Sequence, residues 1–396
     1  MKTLDEKLQL LQNKIAAPCC QIKIMIIGLG SVGLYLLDYL TSLADPRLEF
    51  VVIGRNREKM QSDINIIRTA ATIRRQYRSR IHIDTCDLEN TDSIADVLSR
   101  WQPDFVVNSS RVYSGLKYGS ISWSHLRAYG IWTPLSVRFA RKIMLAYEKA
   151  DAHAITINTS YSDAVIPWLK SAGMTCFDFG SGNLNHLIPR MKFYIAEHDG
   201  ISNLNDIDIT LAVSHFHDVV ISKEGHAENQ EILLDVKYEG KTVEFDKEAL
   251  LSACKIAMPV DQKRNMMNAS SNFDIIHSII DAIDRQTINK IHTPGVNGEI
   301  GGYPFIIDAT HEAKGYIDES VFPLETMRAA NRASIYLDGI ESVLGGKLTY
   351  TDELLAKVQR EFGTALPKNI ELQDSETVAN KIIAEIINPT LAGVHK

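Results

Sequence analysis

Apolar residues in the first half of the chain come in short unbroken runs, each followed by a longer stretch with apolar positions three and four apart. The runs are Ile22–Gly28 (IKIMIIG), Leu48–Asn56 (LEFVVIGRN), Ile81–Asn90 (IHIDTCDLEN), Pro103–Ser110 (PDFVVNSS), Ala154–Ser160 (AITINTS) and Gly173–Phe179 (GMTCFDF). A strand buried on both faces needs apolar side chains at every position, whereas an amphipathic helix needs them on one stripe. Six such strands with helices between them predict an α/β fold, a doubly wound parallel sheet of the Rossmann type. In front of them, MKTLDEKLQLLQNKI carries acids among apolar residues at helical spacing. It predicts an amphipathic helix docked beside the sheet.

The pattern changes in the second half. Asp206–Ser214 (DIDITLAVS), Glu231–Gly240 (EILLDVKYEG) and Lys241–Phe245 (KTVEF) alternate apolar and polar residues. Alternation predicts antiparallel strands with one wet face, the last two forming a hairpin across Glu239-Gly240. A helix is expected over Asn272–Arg285 and a further strand in GGYPFIIDA. Together these read as a second, α+β domain built on an open sheet. The tail segments PLETMRAANRASIYLDGIESVLGG, TDELLAKVQREFG and SETVANKIIAEII read as three helices. Thr351 and Ser375 are expected N-caps there, and Ser162 caps the helix after the fifth run. The resulting division is an N-terminal helix over 1–20, the doubly wound domain over 21–185 and the α+β domain over 186–320. C-terminal helices over 321–396 pack back on the first domain.

Composition narrows the function. The chain has 42 basic and 49 acidic residues, a net charge of −7 that argues against a nucleic-acid partner. No apolar run reaches the roughly 18 residues that a membrane span needs. Nothing resembles a signal or transit peptide. The five cysteines, Cys19, Cys20, Cys86, Cys176 and Cys254, are odd in number and scattered. They suit a reduced, cytoplasmic protein rather than a disulfide framework, and no metal is expected.

The chemistry begins at GLGSVG. Gly28 permits the tight turn after the first strand, Gly30 lets the backbone approach a pyrophosphate, and Gly33 lets the helix pack closely. Ser31 and Val32 open that helix, whose free N–H groups face the phosphates. At the end of the second run an NAD site carries an acid for the ribose 2′-hydroxyl. Here Gly54, Arg55 and Asn56 stand instead, and an arginine binds a 2′-phosphate, so NADP is the expected cofactor. Asp87 and Leu88 end the third run near the adenine, and Asn108, Ser109 and Ser110 end the fourth near the nicotinamide. A long aromatic insertion, Arg111–Pro134, reads as a lid or substrate wall, with Tyr113, Lys117, Tyr118, His125 and Arg127 as its polar candidates. Tyr113 and Lys117 have YxxxK spacing but lack the helix that motif needs. Tyr113 is retained as a catalytic candidate.

SHFHDVV places His215 and His217 two apart, on one face if the segment is a strand. A metal pair, an acid/base or substrate contact, and a structural pair are all open readings. Asn297 and Tyr303 in HTPGVNGEIGGYP are possible substrate contacts, and Lys263 with Arg264 could clamp a carboxylate, against the plainer readings of a connection and a solvated turn. The stretch CFDFGSGNLNHLIP leaves the first domain for the second. Asp178, Gly182 and Asn183 are its substrate-binding candidates.

MIIGLGSVG, VVIGRN, CDLEN, QPDFVVNSS and FDFGSGNLNHLIP together resemble the saccharopine dehydrogenase-like oxidoreductases, over about residues 22–190. In the mid-chain turn Asp178 and Gly180 match that family, while Phe179 stands where it has proline. The resemblance implies NADP(H)-linked reduction of an imine, or oxidation of a secondary amine, in an amino-acid-derived or polyamine-like substrate. It also implies a homodimer formed through the second domain's sheet. A homospermidine synthase-like aminoalkyl transferase with prosthetic NAD, and a non-catalytic nucleotide sensor, are the alternatives.

Overall fold

The computed structural model describes residues 2–113 and 115–393. Helix α1 (Leu4–Ile15) opens with a reciprocal capping box between Thr3 and Glu6 and buries Leu8 and Leu11. Then follow β1 (Ile22–Ile27), α2 (Ser31–Ser42), β2 (Leu48–Gly54), α3 (Arg57–Ile73), β3 (Arg80–Thr85), α4 (Thr91–Trp101) and β4 (Phe105–Asn108). The insertion contains α5 (Gly115–Ile121) and a π-turn over Ser122–Leu126. Then come α6 (Thr133–Lys149), β5 (Ile155–Asn158), α7 (Ser162–Ser171) and β6 (Phe179–Gly180). The six strands form one parallel sheet in the order β3-β2-β1-β4-β5-β6. Strand order reverses between β1 and β4, which opens a crevice at their carboxyl ends.

The unbroken apolar runs have the predicted cause. Ile24 to Ile27 of β1 are at most 1% exposed. Met25 and Ile27 enter the core beneath α4, α6 and α7, and Ile24 and Ile26 enter the core on the other face. Two strands are shorter than their runs suggest: β3 ends early and β6 begins late. Strand β3 stops at Thr85, because Asp87 turns the chain onto Glu89 N–H and Asn90 caps α4. Strand β6 is only two residues, because the Asp178 carboxylate accepts the Thr156 N–H and hydroxyl in place of further ladder bonds.

In the second half α8 (Ile188–Asp199) precedes β7 (Ile207–Ala212), α9 (His215–Glu224), β8 (Leu233–Tyr238), β9 (Lys241–Thr242), α10 (Lys247–Ala253) and α11 (Asn265–Arg285). Strands β7, β8 and β9 form one antiparallel sheet, and Glu239 and Gly240 both take positive φ in the hairpin turn. Strands β10 (Ile288–Pro294), β11 (Gly302–Asp308) and β12 (Gly315–Ile317) form another. There are thus two small sheets rather than one open sheet. Helix α11 starts at Asn265, earlier than the periodicity alone suggests.

The tail departs from its prediction. Helix α12 (Leu324–Leu337) is followed by β13 (Ile340–Leu344), β14 (Lys347–Tyr350), α13 (Asp352–Phe362), β15 (Asn369–Glu371) and α14 (Ser375–Ile382). Gly339 at φ +92° stops α12, and Gly345 and Gly346 at positive φ form a tight hairpin turn. ESVLGGKLTY therefore makes two strands, paired antiparallel. Thr351 caps α13 as expected, Asp374 rather than Ser375 stands at the start of α14 without a side-chain capping bond, and Tyr161 rather than Ser162 precedes α7. Helix α14 packs on α6 of the first sheet, while α12 packs on α9 and β7. Among the described residues no helix is long and apolar enough to cross a membrane.

Candidate active site

A cleft of about 760 Å³ runs along the carboxyl ends of the sheet and is walled on its other side by residues 181–186, α9 and the start of α11. The glycine loop forms its first wall. Gly28 has φ +95°, and a Cβ there would lie 3.0 Å from the Ser110 backbone. A side chain at Gly33 would collide with the Gly28 carbonyl, so that glycine sets how closely α2 sits on β1. Gly30 is different, since nothing lies within 4 Å of where its Cβ would be. Helix α2 begins at Ser31 with no side-chain cap. The loop is thus a shallow cradle with unshielded helix N–H groups, which suits a pyrophosphate. Asn265 of α11 donates to the Ser31 hydroxyl at 2.6 Å and ties the far wall to this loop.

Further along the cleft Arg55 is exposed and has no hydrogen-bonding or ionic partner among the described residues. Asn56 caps α3 by accepting from Lys59 N–H, and Lys59 pairs with Asp63. Asp87 and Leu88 line the same region. Ser109 and Ser110 also line the cleft, but Asn108 does not. Its amide donates to Asn158 and its oxygen accepts twice from Ser110, so it holds the sheet's edge together.

His215 opens α9 and is not on a strand, because the Asp163 carboxylate accepts its backbone N–H at 3.0 Å and starts the helix there. Two residues along a helix point in nearly opposite directions, so the predicted pairing of His215 with His217 does not occur. The His215 ring turns to the cleft and its side chain is 11% exposed. Nδ1 lies 2.9 Å from the Asp338 carboxylate, which is 1% exposed, while Nε2 has no partner among the described residues. Asp338 also accepts from the Tyr161 hydroxyl at 2.6 Å and from Tyr129 N–H at 2.7 Å. The Tyr129 and Tyr161 rings pack on the imidazole at 4.5 and 5.0 Å. Tyr161 sits in the left-handed region at φ 46°, ψ 52°, a strained position for a tyrosine that aims its hydroxyl at Asp338. Burial works against charge on His215, yet Asp338, by charge and hydrogen bond, with Asp163 and Asp218 raises its pKa overall. Burial pushes the Asp163 carboxyl up to about 6, against the pull of His215 and Asn183.

His217 is part of the scaffold. It is fully buried, with Nδ1 on the Ser334 hydroxyl and Nε2 accepting from Glu228 N–H, and burial lowers its pKa. Asp178 is likewise structural. It forms an ion pair with Lys7 of α1 at 2.8 Å, with the two side chains 9% and 3% exposed, and lies outside the cleft. Tyr303 is fully buried and donates to Ile300 O, while Gly295 and Gly301 of the same stretch pack against Ser162 and Asn331. Asn297 offers its carbonyl to Lys170. Gly182, at φ +112°, abuts Asn268. Asn183 does line the cleft, where its amide donates to Asp163. Tyr113 lines the mouth, with its hydroxyl on Asn388 rather than near His215. The insertion does wall the cleft, through Tyr118, Gly119, Tyr129 and Trp132, and Arg127 bridges it to Glu224 and Glu228 beside α9.

Among the described residues no group of three His, Cys, Asp or Glu could hold a metal. Four basic side chains of the cleft, Arg55, Arg111, Lys223 and Arg264, have no acidic partner among them. These unpaired cations share the lining with Asp63, Asp87, Glu89 and Asp218, so the cleft offers groups of both signs to a ligand.

No protein-family model and no curated protein matches the chain. Solved dehydrogenases share its architecture. The lactate dehydrogenase from Cryptosporidium parvum, complexed with lactic acid and β-nicotinamide adenine dinucleotide, matches at a TM-score of 0.53 and 15% identity, over 80% of this chain and 96% of that one. The malate dehydrogenase from Plasmodium falciparum, in complex with NADH, matches at 0.50 and 13%, over 80% and 96%. The malate dehydrogenase from Aeropyrum pernix matches at 0.49 and 16%, over 80% and 97%. At these identities the likeness is one of fold. The chain is an α/β protein with a doubly wound parallel sheet and additional antiparallel sheets.

Proposed function

We propose that the protein is an NADP(H)-dependent oxidoreductase in which His215 moves the proton that accompanies hydride transfer at a polar double bond. The observation that carries this reading is that the His215–Asp338 dyad and the glycine loop face one cleft. The loop of Gly28, Gly30, Ser31, Val32 and Gly33 would hold the pyrophosphate, and the open space over Gly30 is what that group requires. Arg55, with no acid beside it, would take a 2′-phosphate. When bound, the nicotinamide supplies or accepts the hydride.

The side chains divide the remaining work. Asp338 holds Nδ1 of His215 and stabilises its protonated form, so that Nε2 presents a proton to the cleft. Tyr161 and the Tyr129 backbone fix Asp338 in turn. The walls of Tyr118, Tyr129 and Trp132 exclude water. Lys223 and Arg264 would hold an anionic substrate. That charge disfavours a polyamine and suits an imine formed from an amino acid, the substrate class implied by the family resemblance. A second reading, a ketone reduced to an alcohol, is favoured by the fold likeness to the dehydrogenase complexed with lactic acid.

Fluorescence titration with NADPH and NADH tests the cofactor assignment, with tighter binding of NADPH expected. No binding of either nucleotide overturns the whole reading. Incubation with NADPH and paired keto acids, with and without amines, then separates the two chemistries. NADPH consumption that needs the amine supports the imine, and consumption without it supports the ketone.

A further inference from the structure

Four side chains beside the dyad have buried polar atoms with no partner among the described residues. These are Asp218 Oδ1, His186 Nε2, Ser222 Oγ and Arg190 Nε. Asp218 and Ser222 lie one turn apart on α9, and Asp218 is one turn beyond His215, so all three share the helix face turned to the cleft. Asp218 is 6% exposed, and its Oδ2 lies 3.7 Å from His186 Nδ1. Arg190 is buried behind them, with its guanidinium on Cys254 O and Ser222 O and no ion pair with a carboxylate among the described residues. A buried polar atom left unpaired is costly, and three on residues lining one cleft, Asp218, His186 and Ser222, mark a wall built for a hydrogen-bonding ligand.

The charges around the wall select the ligand. Asp218 is answered from behind by Arg190. Lys223 and Arg264 stand close by, with no ion pair of their own among the described residues. An ammonium group at Asp218 would face all three cations. A hydroxyl group gives a hydrogen to Asp218 and accepts from Ser222 or His186 without adding charge, and a carboxylate neutralises Lys223 and Arg264. We infer that Asp218, His186 and Ser222 form a hydroxyl-reading subsite, so that the substrate is a hydroxylated carboxylic acid whose hydroxyls lie beyond the reacting carbon. This rests on the cleft being the cofactor and substrate cleft, and it adds the part of the substrate that His215 does not touch.

The test uses NADPH-loaded protein and three probes of one chain length: gluconate, hexanoate and 6-aminohexanoate. Binding is followed by the change in nicotinamide fluorescence. Gluconate should bind about tenfold or more tightly than hexanoate, since one hydrogen bond to a charged group is worth roughly 1.5–3 kcal/mol. Asp218→Asn should abolish that preference and Ser222→Ala should reduce it. Equal binding of gluconate and hexanoate, tighter binding of 6-aminohexanoate, binding of none, or a preference that survives both substitutions overturns the inference. If NADPH itself does not bind, the functional reading fails. Thermal-shift titration of the free protein with the same probes then still decides the subsite.

Discussion

The two walls of the cleft differ in how their polar groups are committed. On the sheet side Ser109, Asn56 and Asp87 spend their side chains on nearby backbone, and what remains open is a backbone cradle and Arg55, which has no partner among the described residues. On the other side His215 Nε2, Asp218, His186 and Ser222 have polar atoms left for something that is not protein. A wall whose backbone does the binding suits a ligand of fixed shape. A wall with unpaired side chains suits the variable partner and the chemistry. The difference also separates His215 from His217, which are neighbours in sequence but belong to the cleft and to the core.

The contrast can be broken most sharply at His215. Replacing it with Asn should lower kcat by about 10²–10⁴-fold while the Kd for NADPH stays unchanged, because proton transfer is lost and the opposite wall is not touched. Next in size, Asp178→Ala should lower stability by about 3–5 kcal/mol through the stranded Lys7 charge, read as the urea midpoint, with KM unaffected. A raised KM with normal stability would return Asp178 to the substrate site. On the first wall, Arg55→Asp should weaken NADPH by about tenfold or more and leave NADH nearly unchanged, as expected for one charge reversed beside a phosphate. The subtlest effect concerns pH. A histidine whose pKa is raised by its carboxylate holds its proton at low pH and loses it as pH rises, so reduction should slow as pH rises through that value. Asp338→Asn should move this fall to lower pH, and an unmoved profile would remove Asp338 from the role of positioning residue.

The sheet side was legible in the sequence because its signals are local. Buried strands, a glycine turn and the residue after β2 are all read within a few positions of one another. The mid-chain stretch after Cys176 reads as a boundary from sequence, and its Asn183 reaches the cleft, but its Asp178 is held away from it by Lys7, far distant in sequence. The dyad was half visible. His215 was a candidate, yet its partner Asp338 sits in an ordinary-looking Asp-Gly turn, and Tyr161 is placed by a backbone conformation that no residue type announces. The strand reading of SHFHDVV failed because an acid from another element starts the helix at His215. The tail's hairpin was hidden because helical spacing in the segment before it was carried through Gly339.

The most direct test of the central claim is a histidine side-chain ¹H–¹⁵N correlation spectrum recorded on the protein with and without NADPH, assigned with His215→Asn and His217→Asn. The account predicts that the His215 signals shift on adding NADPH and titrate above the ordinary histidine range, while those of His217 stay fixed and neutral. Signals of His217 that move while those of His215 do not, or no response from either, would contradict it.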